Sequence, residues 1–509
     1  PCFLSTAHTD ADVARLVEAF KQAMRAMREG GFLPAPVALI PESGPFPLSE
    51  AQQEIWLASR LDPASAPAFN ESCSFTFRGA FNQAAMERAL QQVVERHEAL
   101  RTSFDPSGGM QTVHASARMD VQVRDLSAME TAAREQALAE LVRAEVSQSF
   151  DLAQVPLVRA RIARMEADRH VLVLTAHHIV CDGWSYDVMA RDLSALYSLA
   201  CAHAADERPL PTQFRDYARH LAGYRRDARA EEDLAYWLGV LADPPSAIDL
   251  PTDRTRPAQR TFNGAMEVAV LEEPLVGAIK ELGARKRCTL FANLLAHYAA
   301  LLHRLTGQTD LIIGVPAAGQ QLMESGELVG HCANLLPVRL RIDPERPFSD
   351  LLAAAQRGLL DAYEHQGLTF GDLLKALQVG RDPSRPPLIQ VTFNVDPAIH
   401  GLEFAQLETD IVINPRTAYQ FEHSLNIVAG DDRLRIECNY NTDLFDEATV
   451  RRWLGYFRRI AQTVSEDPDL PLAALSLLPE EERQRVVMDW NRTATPYPAR
   501  CIHELFEEQ

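Results

Sequence analysis

The chain has 509 residues, is 47% hydrophobic by composition and carries a formal net charge of −20. That length implies more than one domain or lobe, and that composition excludes a chain disordered throughout. A nucleic-acid binder carries a basic stripe and none is found, and the acidic balance opposes anionic membrane surfaces.

No run of about 18 apolar residues occurs, so no membrane span is expected. The eight cysteines are scattered, with no CxxC pair and no zinc spacing. In a chain of this length they read as reduced thiols of a cytoplasmic protein. The opening Pro1-Cys2-Phe3 lacks a basic n-region, a signal-like apolar stretch and a Met, as in a piece of a longer chain.

In chain order, residues 10–29 have helical periodicity (Val13, Leu16, Val17, Phe20, Met24), stopped by Gly30-Gly31. Pro34 to Pro47 reads as a linker. Residues 83–98 form an amphipathic helix with Met86, Ala89, Leu90, Val93 and Val94 on one face. Val171 to Ala176 reads as a buried strand. Ser185 can cap a helix that continues through Val188, Met189, Leu193 and Leu196. A helix over 290–305, a strand at Leu311-Ile312-Ile313, a half-buried strand over 389–395 and a helix over 446–464 follow. The coarse picture is two α/β halves of about 200 residues each. Glu480 to Arg483 is polar and helical, Asn491 to Pro498 is a turn-rich connector, and His503-Glu504-Leu505-Phe506 begins a new helix.

One segment concentrates chemistry: His177-His178-Ile179-Val180-Cys181-Asp182-Gly183-Trp184-Ser185. Two histidines sit at a strand end, an aspartate lies four residues after the second, and Gly183 permits tight backbone geometry. Strand ends that feed helices are frequent sites of chemistry. An imidazole there can take a proton from an attacking amine, or hold that amine and stabilise developing charge. Adjacent side chains of a strand face opposite ways, so His177 and His178 take different roles, one towards the core and one towards a cleft. Read on its own, the segment is also compatible with a structural turn, Asp182 with an ion pair or turn cap, and Trp184 with core packing. A metal site is disfavoured, because one local cluster rarely completes the shell.

The segment resembles HHxxxDG, the third core motif of the condensation domains of nonribosomal peptide synthetases, within the chloramphenicol acetyltransferase-like superfamily. Further motifs fall in family order. Ser49-Glu50-Ala51-Gln52-Gln53-Glu54-Ile55-Trp56 is similar to SxAQxRLW, with Glu54 where Arg is common. Arg96-His97-Glu98-Ala99-Leu100-Arg101-Thr102-Ser103-Phe104 matches RHExLRTxF, and Phe214-Arg215-Asp216-Tyr217 resembles the fourth motif. Leu250-Pro251-Thr252-Asp253-Arg254 resembles a family signature. The fifth motif is resembled by Ile313 to Gln320 and by Val329 to Arg339, the sixth loosely by His365 to Phe370, and the seventh by Arg381 to Val391. The resemblance covers roughly residues 45–470. Residues 479–509 resemble the connector and opening of an adenylation domain, and residues 1–32 the tail of a pyridoxal-phosphate aminotransferase.

This resemblance implies two acetyltransferase-like α/β lobes in a V, with a tunnel between them. It divides the chain into an aminotransferase-like tail and linker (1–44), an N-terminal lobe (45–225), a C-terminal lobe (226–478) and an adenylation-domain start (479–509). It implies amide formation between an upstream carrier-bound acyl thioester, possibly β-amino, and a downstream carrier-bound aminoacyl group. No bound cofactor is implied; substrates arrive on 4'-phosphopantetheine arms of carrier domains within a hybrid polyketide–peptide megasynthase. His178 would lie nearest the chemistry, Asp182 would organise the loop, Gly183 would leave space and His177 would support the loop from the core. Arg101, Trp184, Ser185, Gln320 and Asn334 would support the site. Two further departures stand out. Gln320 replaces the Arg that pairs with the motif aspartate, leaving Asp182 to Arg101 or to hydrogen bonds. Gly330-His331-Cys332 replaces GFF-like residues, suggesting a subclass with an unusual donor. Rival readings are an epimerisation domain, a free-standing acyltransferase and a non-catalytic recruiting platform of the same fold, which usually loses the second histidine.

Overall fold

The computed structural model describes residues 44–509 except 62, 226, 324, 325, 381, 399, 400, 431, 497 and 498, together with 15, 18–20, 22 and 23. Residues 1–43 form one compact unit and 44–509 another. The glycine stop, the aminotransferase-like tail and most of the helix over 10–29 therefore lie outside the described residues, as do Tyr497 and Pro498 of the connector. The Pro-rich stretch ends differently from the linker expected: Gly44–Pro47 is a strand paired with Met110–Val113. It is the edge of a three-stranded sheet, where proline's missing N–H is tolerated.

The first lobe is built on a five-stranded sheet in the order Leu407–Ile413, Asn70–Gly79, Arg169–His177, Val158–Arg164, Val121–Asp125. The strand at 169–177 alternates between two cores. Leu172, Leu174 and Ala176 join the layer formed by helices Gln83–Arg96 and Gly183–Cys201. Val171 and Val173 face the layer of Thr131–Ser147, with Leu138, Leu141 and Val142 packed on them. The period of two thus reads directly as a sheet covered on both faces. All five apolar positions expected on one face of the 83–98 helix are buried.

The second lobe carries a six-stranded sheet, Ala333–Arg341, Asp310–Ala318, Val391–Pro397, His423–Ala429, Arg433–Asn441, Gly264–Glu272. The strand Val391–Pro397 runs parallel to both neighbours. That interior place buries Val391, Thr392 and Phe393 in succession, where alternation had suggested one solvated face. The helix Leu290–Thr306 is apolar almost all round and is sunk in this core. Glu447–Glu466 buries Val450, Trp453, Phe457, Ile460 and Val464 along one stripe. Strand Leu407–Ile413 lies within the second half of the sequence yet completes the first lobe's sheet by pairing with Asn70–Gly79. The two lobes are therefore joined by shared backbone hydrogen bonds.

Three buried histidines set an acid limit for the fold. Burial foremost pulls the pKa of His177 down to about 3, and those of His297 and His423 down to about 4. An unfolded histidine titrates near ~6.5, so the unfolded chain takes up the extra protons as pH falls. The contribution is complete above about pH 6.5 and is lost as pH drops towards 4, at about 1.4 kcal/mol per pH unit for each group. Urea unfolding followed between pH 7 and 5 is expected to show stability falling by several kcal/mol. A flat profile over that range would contradict this account.

Candidate active site

The strand Arg169–His177 delivers both histidines to the junction of the lobes. His177 is 1% exposed, stacks on Phe69 at 6.0 Å and meets Phe150 edge-on at 5.9 Å. Its Nδ1 accepts a hydrogen bond from the Ile179 amide at 3.2 Å. With its low pKa it is neutral, and it faces the core, as strand alternation implied. His178 turns the other way, with its side chain 24% exposed. Its backbone N–H donates to the Phe69 carbonyl at 2.7 Å, anchoring the turn.

Nδ1 of His178 lies 2.8 Å from the Cys181 carbonyl oxygen and 3.5 Å from Oε1 of Glu71. A carbonyl oxygen can only accept, so the partner assigns the proton to Nδ1 and leaves the lone pair on Nε2. Glu71 is ion-paired with Arg416. Burial pushes the Glu71 carboxyl up, but the Arg416 guanidinium, with His178 beside it, holds it below its ordinary value. The sequence offered no sign of Glu71 or Arg416: they lie 345 positions apart and in no motif.

Asp182, not Ser185, caps the helix Gly183–Cys201. It is 2% exposed, and Oδ1 accepts from the Ser185 amide at 2.9 Å and the Ser185 hydroxyl at 2.7 Å. Gln320 Nε2 donates to both carboxylate oxygens, at 3.0 and 2.9 Å, and the Cys332 amide donates to Oδ2 at 2.9 Å. The carboxylate is thus satisfied by neutral donors, Ser185 from its own lobe and Gln320 and Cys332 from the second. Arg101 plays no part: it donates to the His114 carbonyl and lies 4.0 Å from Glu98. With its proton on Asp182, Ser185 Oγ also accepts from the Gly330 amide at 3.1 Å, making this loop a junction between lobes.

Trp184 is not core packing. It is 37% exposed, and its indole N–H reaches the Gly326 carbonyl at 2.8 Å. Gly183 has an ordinary φ, and a Cβ there would meet nothing within 4 Å, so open space adjoins it. Asn334 stands apart from the HHxxxDG turn and clamps the 366–370 segment, donating to the Gln366 and Leu368 carbonyls at 2.9 and 2.8 Å. The ring of His331 meets His178 at 4.6 Å between centroids, at 66°. Burial, then the neighbouring His178 and His177, pulls its pKa well down. Cys181 and Cys332 flank the site, but burial, then Glu71 for the first and Asp182 for the second, pushes both thiols well up. Neither is an activated nucleophile.

A family model described as Condensation domain matches residues 42–487. A linear gramicidin synthase of Brevibacillus parabrevis is 33% identical over 503 residues, 97% of this chain and 6% of that protein. Phosphinothricin tripeptide synthetase PhsC of Streptomyces viridochromogenes is 34% identical over 471 residues, 91% of this chain and 43% of that protein. The chain therefore spans less than half the length of either relative. Among solved structures, the X-domain from teicoplanin biosynthesis superposes with a TM-score of 0.76 at 27% identity, over 87% of this chain and 100% of that one. The starter condensation domain of rhizomide synthetase superposes at 0.77 and 24% identity, over 85% of this chain and 98% of that one. A match across both lobes, relatives one-third identical over nearly the whole chain, and a shared fold show that the chain belongs to the condensation-domain family of nonribosomal peptide synthetases, acyltransferases that join carrier-bound groups through an amide bond.

Proposed function

We propose that His178 Nε2 receives the amine of a carrier-bound aminoacyl acceptor, which attacks the thioester of a carrier-bound acyl donor. The observation that carries this reading is the Nδ1 contact to the Cys181 carbonyl, which commits the proton to that edge and frees Nε2. In the step, the amine nitrogen bonds to the thioester carbon and the carbon–sulfur bond breaks. One amine proton is taken by Nε2 and passed to the leaving thiolate. Two reactants tethered at one site supply several kcal/mol without further chemistry. Asp182 keeps the turn in place through its cross-lobe bonds, and His177 backs it from the core.

Donor and acceptor are presented on phosphopantetheine arms by upstream and downstream carrier domains. The aminotransferase-like and adenylation-like ends of the sequence support a hybrid megasynthase whose donor is a β-aminoacyl group. The test is a carrier assay with a β-aminoacyl donor and its unsubstituted acyl analogue. A site that hydrogen-bonds the extra amine favours the β-aminoacyl donor by about tenfold. Equal rates would remove the β-amino reading, and no amide with either donor would count against condensation.

Gly183 supplies a separate check. Because a Cβ there meets no atom, Gly183→Ala is expected to change stability by no more than about 1 kcal/mol. Gly183→Leu is expected to fold with a similar melting temperature yet lose transfer by more than about tenfold, through obstruction of a substrate path. Unimpaired transfer by Gly183→Leu would show that the space is not used.

A further inference from the structure

The Nδ1 edge of His178 faces Oε1 of Glu71 at 3.5 Å, and among the described residues no other carboxylate is paired with that ring. Glu71 is 9% exposed on strand Asn70–Gly79, and its backbone is pinned. The Tyr186 hydroxyl donates to the Glu71 carbonyl at 2.6 Å and accepts from the Ala176 amide at 3.0 Å. The second carboxylate oxygen, Oε2, accepts from the Arg416 guanidinium. Arg416 lies between the strands Leu407–Ile413 and His423–Ala429, and its amide donates to the Tyr419 hydroxyl at 3.2 Å. The carboxylate therefore has two cationic partners. Arg416 is charged at all times, and His178 only while it holds a second proton.

The reaction gives this arrangement a use. When Nε2 takes the amine proton, the ring becomes an imidazolium whose side chain is only 24% exposed. A charge that has lost hydration is costly unless a counter-charge adjoins it. The other neighbours of the ring supply none. Burial foremost keeps His177 and His331 neutral, and the Cys181 carbonyl offers a dipole alone. A buried carboxyl tends to hold its own proton, and Arg416 opposes that in Glu71. Arg416 bonds Oε2, which leaves Oε1 as the charge that faces Nδ1.

We propose that Glu71 is a positioning residue that acts on the reaction through His178: its carboxylate holds the Nδ1 edge and stabilises the imidazolium while the amine proton is on Nε2. Arg416 serves Glu71 by keeping it ionised. This rests on the proposal that Nε2 takes the amine proton. That proton leaves the amine for Nε2 and then passes to the leaving thiolate, the ring returns to neutral, and Glu71 gains no proton at any stage.

The experiment uses the full chain with loaded donor and acceptor carriers. Values of kcat and KM are measured for wild type, Glu71→Gln, His178→Ala and the double variant Glu71→Gln/His178→Ala. The Gln side chain keeps the shape, and its Oε1 can still accept from Arg416, but it carries no charge. Glu71→Gln is expected to lower kcat by about tenfold with KM within about twofold, because the ring is charged only during the step. In the His178→Ala background the same change is expected to alter kcat by less than about twofold, since no imidazolium forms there. A merely structural Glu71 would cost the same factor in both backgrounds. That result, a kcat for Glu71→Gln within about twofold of wild type, or a loss expressed in KM would each overturn the proposal. If Glu71→Gln fails to fold because Arg416 is left buried without a counter-charge, Glu71→Gln/Arg416→Met removes both charges. It is expected to show the same loss of about tenfold in kcat, and again almost none in the His178→Ala background. A kcat for that pair near wild type would equally overturn the proposal. Amide formation that ignores Glu71→Gln defeats this inference alone, whereas no amide from the wild type, or an unimpaired His178→Ala, defeats the proposed role of His178 and this inference with it.

Discussion

Replacing His178 by Ala is expected to lower the rate of amide formation by about 10²–10⁴-fold. The lower figure applies if the imidazole mainly holds the amine, the higher if it also takes the proton. The residual rate comes from two tethered reactants held at one site. Folding is expected to survive: the ring is only partly buried, and the loss of its bond to the Cys181 carbonyl costs about 1 kcal/mol. His178→Gln separates the two roles, because an amide oxygen can hold an amine but cannot accept its proton. Recovery of most of the lost rate by Gln would assign His178 to positioning; a rate as low as that of Ala would assign it to proton transfer. Single-turnover kinetics on preloaded carriers checks both, and a rate for His178→Ala within about threefold of wild type would remove His178 from the mechanism.

Asp182→Ala is expected to be the most damaging change to stability at the site, by about 3–5 kcal/mol. It removes a helix cap, worth about 1 kcal/mol, and it strands buried donors. Gln320 suffers most. Its Nε2 bonds only Asp182 among the described residues, and its Oε1 has no partner already. Ser185 Oγ and the Cys332 amide each keep a contact to the Gly330 carbonyl. A loss of this size is a large fraction of a domain's usual ~5–15 kcal/mol. Asp182→Asn is expected to cost less, about 1–2 kcal/mol. Gln320 can turn its amide so that the idle Oε1 accepts from the new amide nitrogen, at the loss of its Nε2 bonds, while the Cys332 amide, now facing that nitrogen, keeps only the Gly330 carbonyl. Denaturant unfolding of the two variants checks the order. An Asn variant as unstable as the Ala variant would show that the charge, rather than the hydrogen-bond count, holds the loop.

The elements with a clean period were legible before the structure. The stripe on Gln83–Arg96, the buried run ending at His177 and the helix Glu447–Glu466 all follow from spacing alone, because each buries a face within a single element. The opposite facing of His177 and His178, one buried and one partly exposed, followed from strand alternation. What spacing cannot encode is pairing between distant segments. Leu407–Ile413 alternates like a strand, but nothing local says that it joins Asn70–Gly79. The same limit hid Glu71 and Arg416 and left Asp182 open between Arg101 and hydrogen bonds, of which the structure shows the second. The Arg-to-Gln departure at 320 identified the right position. That a neutral amide donates to both carboxylate oxygens emerges only once the second lobe is placed against the turn.

The most direct measurement is the intact mass of the acceptor carrier after a single turnover with the wild-type chain, a loaded donor carrier and a loaded acceptor carrier. The account predicts that the acceptor gains the mass of the donor acyl group through an alkali-resistant amide, and that the donor carrier returns as free thiol. An unchanged acceptor mass across a panel of donors and acceptors, with both carriers still binding the chain, would contradict it and leave a recruiting platform in its place.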